Sequence, residues 1–447
     1  MGKRVTAPKI PAEERKKSFA EVEKTILPHQ AMAEASRCLF CHDAPCDQMC
    51  PAGIKPSQFI RKIKTRNFTG AAKMIRDGNF LGSVCARICP VEKQCEKGCS
   101  RSDVGEPINI AALQRYAADM ELKKIKPILT PPAPKGKKAA IIGAGPAGIA
   151  CAWELYKLGW EVFVYEKTSQ PGGLLIWGIP EYRLPRDVVK SEIDAVLSSG
   201  RGIHLYTNQS VDREKFQTLL SSHDAVVIAC GLGDSARANI PGEDLNGVYP
   251  ALDFLMKMNS GTPYPVGKKV IVIGGGSTAL DCASSSVRLG AEDVAIYYRR
   301  TESEMPGARS ELEEAKEIGV RFVWLASPKK IVGNNGKAEG VEFVKCELGE
   351  PDSSGRPRPV EIACSEYVAP ADTVIMALGQ KLDKDLSSYL GDFVQMEKGR
   401  IKFDRDTLVT SDPRVYLAGD ISSGGGTVAQ AVGDGKKVAL NIDKNLG

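Results

Sequence analysis

One supersecondary plan occurs twice in this chain, and the repetition constrains the fold more than any other feature. Residues 138–167 read "KAAIIGAGPAGIACAWELYKLGWEVFVYEK", and residues 268–300 read "KKVIVIGGGSTALDCASSSVRLGAEDVAIYYRR". Each is an apolar run, a glycine turn, a helix-length segment and a second apolar run, the order of a parallel strand–helix–strand unit. The first turn carries Gly143, Gly145, Pro146, Ala147 and Gly148; the second carries Gly274, Gly276, Ser277, Thr278 and Ala279. In such a turn the first glycine permits the sharp bend and the second lets a pyrophosphate approach the backbone. The third position, Gly or Ala, lets the helix pack on its strand. The helix N-terminus then offers free N–H groups to phosphate. The pattern predicts an α/β fold with two dinucleotide-binding parallel sheets.

The copies differ where specificity is set. The second strand of the first copy ends in Glu166, placed to accept hydrogen bonds from ribose hydroxyls. In the second copy Tyr298 holds that place, followed by Arg299 and Arg300. Two arginines with no carboxylate attract a 2′-phosphate, so NADP(H) is expected over NAD(H). Residues 415–439, "VYLAGDISSGGGTVAQAVGDGKKVA", form a strand delivering Gly419 and Asp420, then a glycine-rich turn into a helix start at Thr427 and Val428. This resembles the second FAD signature of flavoproteins with two dinucleotide domains. The resemblance implies that Asp420 holds the ribityl chain. It makes "CGLG" (230–233) and "ALGQ" (377–380, with Ala377, Leu378 and Gly379) the crossings between an FAD domain and an inserted NAD(P) domain. Hydride transfer between nicotinamide and flavin needs stacking more than acid or base, so no catalytic residue is expected. The histidines at 29, 42, 204 and 223 are too dispersed to suggest one.

Of 13 cysteines, eight lie between Cys38 and Cys99. The other five are expected as buried small hydrophobes. No stretch resembles a secretory signal and no run of 18 apolar residues occurs, so a cytoplasmic chain without membrane spans or stable disulfides is expected. A net charge of +5 with no dense basic run among aromatics does not argue for nucleic acid. The clustered spacing is Cys38-x2-Cys41-x4-Cys46-x3-Cys50-Pro51, then Cys85-x3-Cys89-Pro90-x4-Cys95-x3-Cys99. A Cys-Pro step after a run of thiolates is a ferredoxin-type signal, and a neighbouring flavin needs single-electron acceptors. Two [4Fe–4S] clusters are the favoured reading, with structural zinc and redox thiols as alternatives.

Several long segments are more specific still: "EASRCLFCHDAPCDQMCPAG", "NFTGAAKMIRDGNFLGSVCARICPVEKQCEKGC", "EPINIAALQRYA" and "PGGLLIWGIPEYRLP". With the nucleotide signatures, they make the chain from about residue 34 onward resemble the electron-input part of dihydropyrimidine dehydrogenases, above all the separate flavoprotein subunit of the bacterial enzyme. The same module occurs in the glutamate synthase small subunit and in the large subunit of NADH-dependent ferredoxin:NADP oxidoreductase. The resemblance implies interleaved ligands: Cys38, Cys41, Cys46 and Cys99 for one cluster, and Cys50, Cys89, Cys95 and the Gln114 side chain for the other, with Cys85 free. It implies that Gly173, Leu174 and Arg183 lie at the flavin, Arg183 also beside a cluster. It further implies electron flow from NAD(P)H to FAD to the clusters, and then to a partner subunit with FMN and iron–sulfur clusters that reduces uracil or thymine. No barrel pattern for that second reaction occurs here. The rival of another class is a non-catalytic module binding nucleotides and zinc. The expected divisions are a helical iron–sulfur domain (1–125), a linker (126–138), an FAD domain in two parts (139–262 and 372–447) and an NAD(P) domain (263–371). The arm at 1–30 and the exposed flank of the cluster domain are the expected docking surface.

Overall fold

A computed structural model describes residues 2–122, 133–199, 202–352 and 355–447. Most of the expected linker lies outside the described residues.

The cysteine-bearing region is helical: α1 (Pro28–Ser36), α2 (Pro56–Lys64), α3 (Phe68–Gly78), α4 (Gly82–Ile88) and α5 (Ile110–Leu122). An apolar face over 59–75 is carried by two helices, α2 and α3, broken at Arg66, whose φ is +60°. Phe59, Ile60, Ile63, Ala71 and Ile75 enter one core with Leu113 and Ala117 of α5, while Phe68 stays half-buried. Fully burying each of the larger side chains stabilises by roughly 1.5–3 kcal/mol. The thiols of Cys38, Cys46, Cys50, Cys95 and Cys99 pack along the edge of that core.

The first sheet has five parallel strands, β1 (Lys138–Ile142), β2 (Glu161–Tyr165), β3 (Ile203–Tyr206), β4 (Ala225–Ile228) and, from the far end of the chain, the strand Val415–Leu417. The second also has five parallel strands: β5 (Val248–Pro250), β6 (Lys269–Ile273), β7 (Asp293–Tyr298), β8 (Arg321–Trp324) and β9 (Thr373–Met376). Calling Val415–Leu417 β10, the orders are β10-β4-β1-β2-β3 and β5-β9-β6-β7-β8. The whole second sheet therefore lies between two strands of the first. The central strands β1 and β6 share a pattern, one exposed lysine followed by four buried residues. Helices on both faces require such continuous apolar runs. They include α6 (Pro146–Lys157), α7 (Arg186–Ser199), α8 (Ser277–Arg288), α9 (Arg309–Glu317) and α10 (Val428–Leu446).

The segments holding "CGLG" and "ALGQ" lead into Gly233–Ser235 and Gln380–Leu382, which pair as an antiparallel ribbon. Residues 320–370 form strands and turns, with an antiparallel sheet built on one 15-residue strand, Lys337–Pro351. The arm at 2–27 also differs from the free docking element expected, because it is taken up internally. Its two limbs bond through Ile10 N to Val22 O (3.0 Å), and it pairs with the second sheet's α9 through Lys9–Glu314 (2.6 Å) and Arg15–Glu317 (2.6 Å). Among the described residues no helix is long and apolar enough to cross a membrane.

Candidate redox site

Both glycine turns have the geometry that dinucleotide binding demands. Gly143 and Gly274 have φ of +105° and +148°. A Cβ on either would strike the next strand's end, 2.6 Å from Ala229 O and 2.2 Å from Ala377 O. A Cβ on Gly148 would lie 2.0 Å from Gly143 O. By contrast, nothing lies within 4 Å of a Cβ built on Gly145 or Gly276, which are the N-caps of α6 and α8. Open space over a helix N-terminus is what an incoming pyrophosphate requires. Pro146 and Ala147 begin α6, and Ser277 and Thr278 begin α8.

Around the first turn, Gly172 N bonds Ala144 O (2.8 Å), and a Cβ on Gly173 would meet Gly145 Cα at 3.1 Å. Gly173 and Leu174 thus lie over the turn. Glu166 is buried and accepts from Ala144 N (2.9 Å) and Thr168 N (2.8 Å), which fixes its carboxylate at the mouth. Gly419 packs on Ala147, 2.9 Å from its built Cβ to the Ala147 Cβ. Burial raises the pKa of Asp420, and Asp434 raises it further. Thr427 caps α10 with Val428 as its first residue. A Cβ on Gly435 would lie 2.2 Å from Ala147 O, so α10 and α6 touch backbone to backbone.

At the second turn Ala377 sits against Gly274, Leu378 is exposed, and Gly379 has φ +103°. The two arginines part company. Arg299 is exposed. Arg300 is buried, its Nη2 2.6 Å from Asp352 Oδ2 and its Nε donating to Pro357 O at 2.7 Å.

The cysteines of the two stretches influence one another across the helical region. Burial pushes Cys46 up to about 12, followed by the negative charges of Asp47, Cys99 and Cys38. Burial raises Cys38, with Cys99 and Cys41 adding to it. These influences link Cys38, Cys41, Cys46 and Cys99. Burial raises Cys50, with Cys85 contributing, and raises Cys95, with Glu96, Cys50 and Cys46 contributing. Cys85 is raised well above its ordinary value by a hydrogen bond to Cys89 and by burial. Its sulfur also accepts from Asn79 Nδ2 at 3.1 Å. Cys85 therefore stands inside the second set in space, though engaged by its own neighbours. Gln114 is buried with Nε2 donating to Gly82 O at 2.8 Å. That bond commits the amide nitrogen and leaves the oxygen as the end available to a metal. Among the described residues no group of three His, Cys, Asp or Glu is arranged to hold a single metal ion. Eight thiols in two sets suit clusters, whose corners are each held by one thiolate.

Cys50 borders both cores, that of the helical region and that of the first sheet. A Cβ on Gly433 of α10 would lie 2.5 Å from Pro51 O, and Lys436 Nζ donates to Ala52 O (3.0 Å) and Gly78 O (2.9 Å). Gln94 Nε2 donates to Thr427 Oγ1 at 2.8 Å, tying the Cys95 loop to the cap of α10. Glu192 of α7 accepts from Ser83 N (2.6 Å) and Val84 N (3.1 Å), capping α4 from another domain. Sequence reasoning missed Gln94 and Glu192 as contacts, since their partners lie hundreds or scores of residues away. Arg183 differs from expectation in its partners. It holds Asp281 of α8 through both oxygens (2.8 and 2.7 Å) and pairs with Glu311 of α9. Burial would lower its pKa, yet these carboxylates hold it above the ordinary value. It lines a cleft of ≈270 Å³ shared with Cys89. Of the five isolated cysteines, Cys151, Cys282 and Cys346 are buried, Cys230 is half-buried, and Cys364 is exposed, contrary to expectation.

This fold and these sites define a flavin and iron–sulfur oxidoreductase that uses a nicotinamide nucleotide. Residues 137–435 match the family described as pyridine nucleotide-disulphide oxidoreductase, and residues 15–126 match "dihydropyrimidine dehydrogenase domain II, 4Fe-4S cluster". The chain belongs to the pyridine nucleotide-disulphide oxidoreductase family, in the branch that carries this iron–sulfur domain. It is 37% identical over 457 residues to the glutamate synthase [NADPH] small chain of Escherichia coli K12, covering 98% of this chain and 96% of that one. It is 37% identical to the NAD-dependent dihydropyrimidine dehydrogenase subunit PreT of E. coli O157:H7, covering 95% and 97%. It is 39% identical to the NADP(+)-dependent formate dehydrogenase subunit beta of Moorella thermoacetica, covering 90% of this chain and 60% of that one. FprA of Mycobacterium tuberculosis, solved with NADPH, shares the fold at TM-score 0.61 and 21% identity, covering 70% of this chain and 84% of that one.

Proposed function

We propose that this chain is the electron-input subunit of a dihydropyrimidine dehydrogenase, serving a partner that carries FMN and iron–sulfur clusters and reduces uracil or thymine. When bound, FAD accepts hydride from NAD(P)H and two [4Fe–4S] clusters take the electrons one at a time. The observation that carries the reading is the seam at Cys50-Pro51. There the backbone next to Cys50 lies against α10, whose cap is tied to the Cys95 loop.

The residues have separate tasks. Gly143, Gly145, Pro146, Ala147 and Gly148 present backbone to the FAD pyrophosphate, Glu166 takes the ribose, and Gly173 and Leu174 close over the turn. Asp420 faces the ribityl chain, and Thr427 and Val428 offer a helix N-terminus. Gly274, Gly276, Ser277 and Thr278 receive NAD(P)H, Ala377, Leu378 and Gly379 border it, and Arg299 gives the contact that favours NADPH. Cys38, Cys41, Cys46 and Cys99 ligate one cluster, and Cys50, Cys89, Cys95 and Gln114 the other. Arg183 ties the two dinucleotide-binding sheets together beside Cys89.

Nothing in this assignment protonates or hydrogenates a pyrimidine. The purified chain should oxidise NAD(P)H with ferricyanide or a dye, and show no uracil-dependent oxidation until an FMN-containing subunit is added. Uracil-dependent turnover by the chain alone would refute the proposal. The near-complete coverage of the glutamate synthase small chain favours a second reading. Under it, the large chain of glutamate synthase, and not the FMN subunit, would restore turnover.

A further inference from the structure

The outer side of the cluster region carries a charge imbalance that the electron-input reading has not used. From Gln48 to Arg76 the chain holds seven cations and no acidic residue. Among the described residues Lys73 pairs with Asp77 and Arg76 with Glu121. The other five, Lys55, Arg61, Lys62, Lys64 and Arg66, enter no ion pair among the described residues. They lie on α2 and its flanks, and all but Lys62 are fully exposed.

These cations surround a thiol set. A groove of ≈660 Å³ runs along the face, lined by Phe40, Cys41, Lys55, Arg61, Lys62 and Met74 among others. Phe40 stands between Cys38 and Cys41, and its ring is covered by Arg61 (5.4 Å) and Lys64 (4.7 Å). Two acids border the groove: Asp43 is exposed, while Asp47 accepts from Ser57 N (2.9 Å) and Ser57 Oγ (2.8 Å) at the start of α2. Leu39 and Met49 are exposed beside it, 49% and 36% accessible. Exposed apolar side chains beside a mainly cationic face are features of a protein interface that steers its partner electrostatically. Cys50, Cys85 and Cys89 pack against the core of the first sheet, whereas Cys38, Cys46, Cys95 and Cys99 pack against the helical core and Cys41 lines this groove.

We propose that the cationic face of α2, from Lys55 to Arg66, is where the catalytic partner docks, presenting an acidic surface beside its own iron–sulfur acceptor. This rests on the electron-input reading and adds the place and chemistry of the contact. Each NAD(P)H oxidised gives NAD(P)+, one proton and two electrons, and two one-electron reductions of the partner occur across this face.

The test uses full-length Lys55→Glu/Arg61→Glu/Lys62→Glu, with Lys64 kept because its charge faces Cys38. The probe is the purified FMN- and iron–sulfur-containing dihydropyrimidine dehydrogenase subunit. NAD(P)H oxidation with a neutral quinone should equal that of wild type, showing that flavin and clusters are intact. Binding to the subunit should weaken by about tenfold or more, and uracil-dependent turnover should fall with it. Wild-type binding should weaken steeply with salt. A variant that binds the subunit as wild type does overturns the docking face alone. So does a variant that loses affinity only for a duplex DNA probe. A wild-type chain that neither binds nor feeds the subunit overturns the electron-input reading, and the docking face with it.

Discussion

At the end of β7, Arg299 faces solvent while Arg300 turns inward to Asp352 and Pro357. Arg300 is held by Asp352 and Pro357, so the two consecutive arginines do not both reach one phosphate. Arg299→Ala should raise KM for NADPH about tenfold to a hundredfold, the worth of one charge-assisted phosphate contact at roughly 1.5–3 kcal/mol, and leave KM for NADH nearly unchanged. Arg300→Ala should act differently, lowering stability by about 1–3 kcal/mol and affecting both nucleotides alike. Initial-rate kinetics with each nucleotide and a urea midpoint separate the two. The pairing of charges decided this, and an "RR" in sequence carries no sign of it. Arg183 teaches the same lesson, since Asp281 and Glu311 are invisible from "EYRLP". The glycines were readable because their requirement is local: a positive φ at Gly143 and a close backbone approach at Gly148 admit no other residue comfortably.

Two helices join the cluster region to the flavin-type sheet, and each gives a prediction. Burial pushes Glu192 up to about 7 from an ordinary 4.5, against the lowering effect of the Ser83 and Val84 N–H groups. The native state therefore binds this proton more tightly than the unfolded chain does. Between about pH 4.5 and 7 it holds more protons, so this group's contribution to stability falls as pH rises. The span corresponds to on the order of 3 kcal/mol. Glu192→Gln should flatten that part of the profile, measured by denaturant unfolding at about pH 5 and about pH 7.5. A variant with the wild-type slope would remove Glu192 as its source. On α10, Gly435→Ala would set a Cβ 2.2 Å from Ala147 O. It should cost about 1–3 kcal/mol by forcing α10 from α6, and should lower flavin retained per chain. The strands, both glycine turns and the helical nature of the cysteine region were legible because periodicity and turn chemistry act over a few residues. The break between α2 and α3 was not, because it rests on one residue, Arg66, adopting a positive φ. The fate of the arm was not legible either, since its polar residues read as solvated until Glu314 and Glu317 of α9 are placed beside them.

Across the whole molecule, the second sheet hangs from the first by a two-stranded ribbon, and the helical region is sewn to the first sheet at Cys50, Gln94 and Glu192. Counting along the chain groups Cys46 with Cys50, and Cys99 with Cys95, whereas the proposed ligation interleaves the two stretches. In the fold, Cys99 and Cys38 raise the pKa of Cys46, Cys85 raises that of Cys50, and Cys50 and Cys46 both raise that of Cys95. The most direct test is the iron content of the double variant Cys46→Ser/Cys99→Ser, purified without air and compared with wild type. Interleaved ligation places both residues on one cluster, so the double variant should lose about four irons and keep about four, with the remaining cluster still reduced by NAD(P)H. Loss of all about eight irons would mean that the two residues serve different clusters, and would contradict the account.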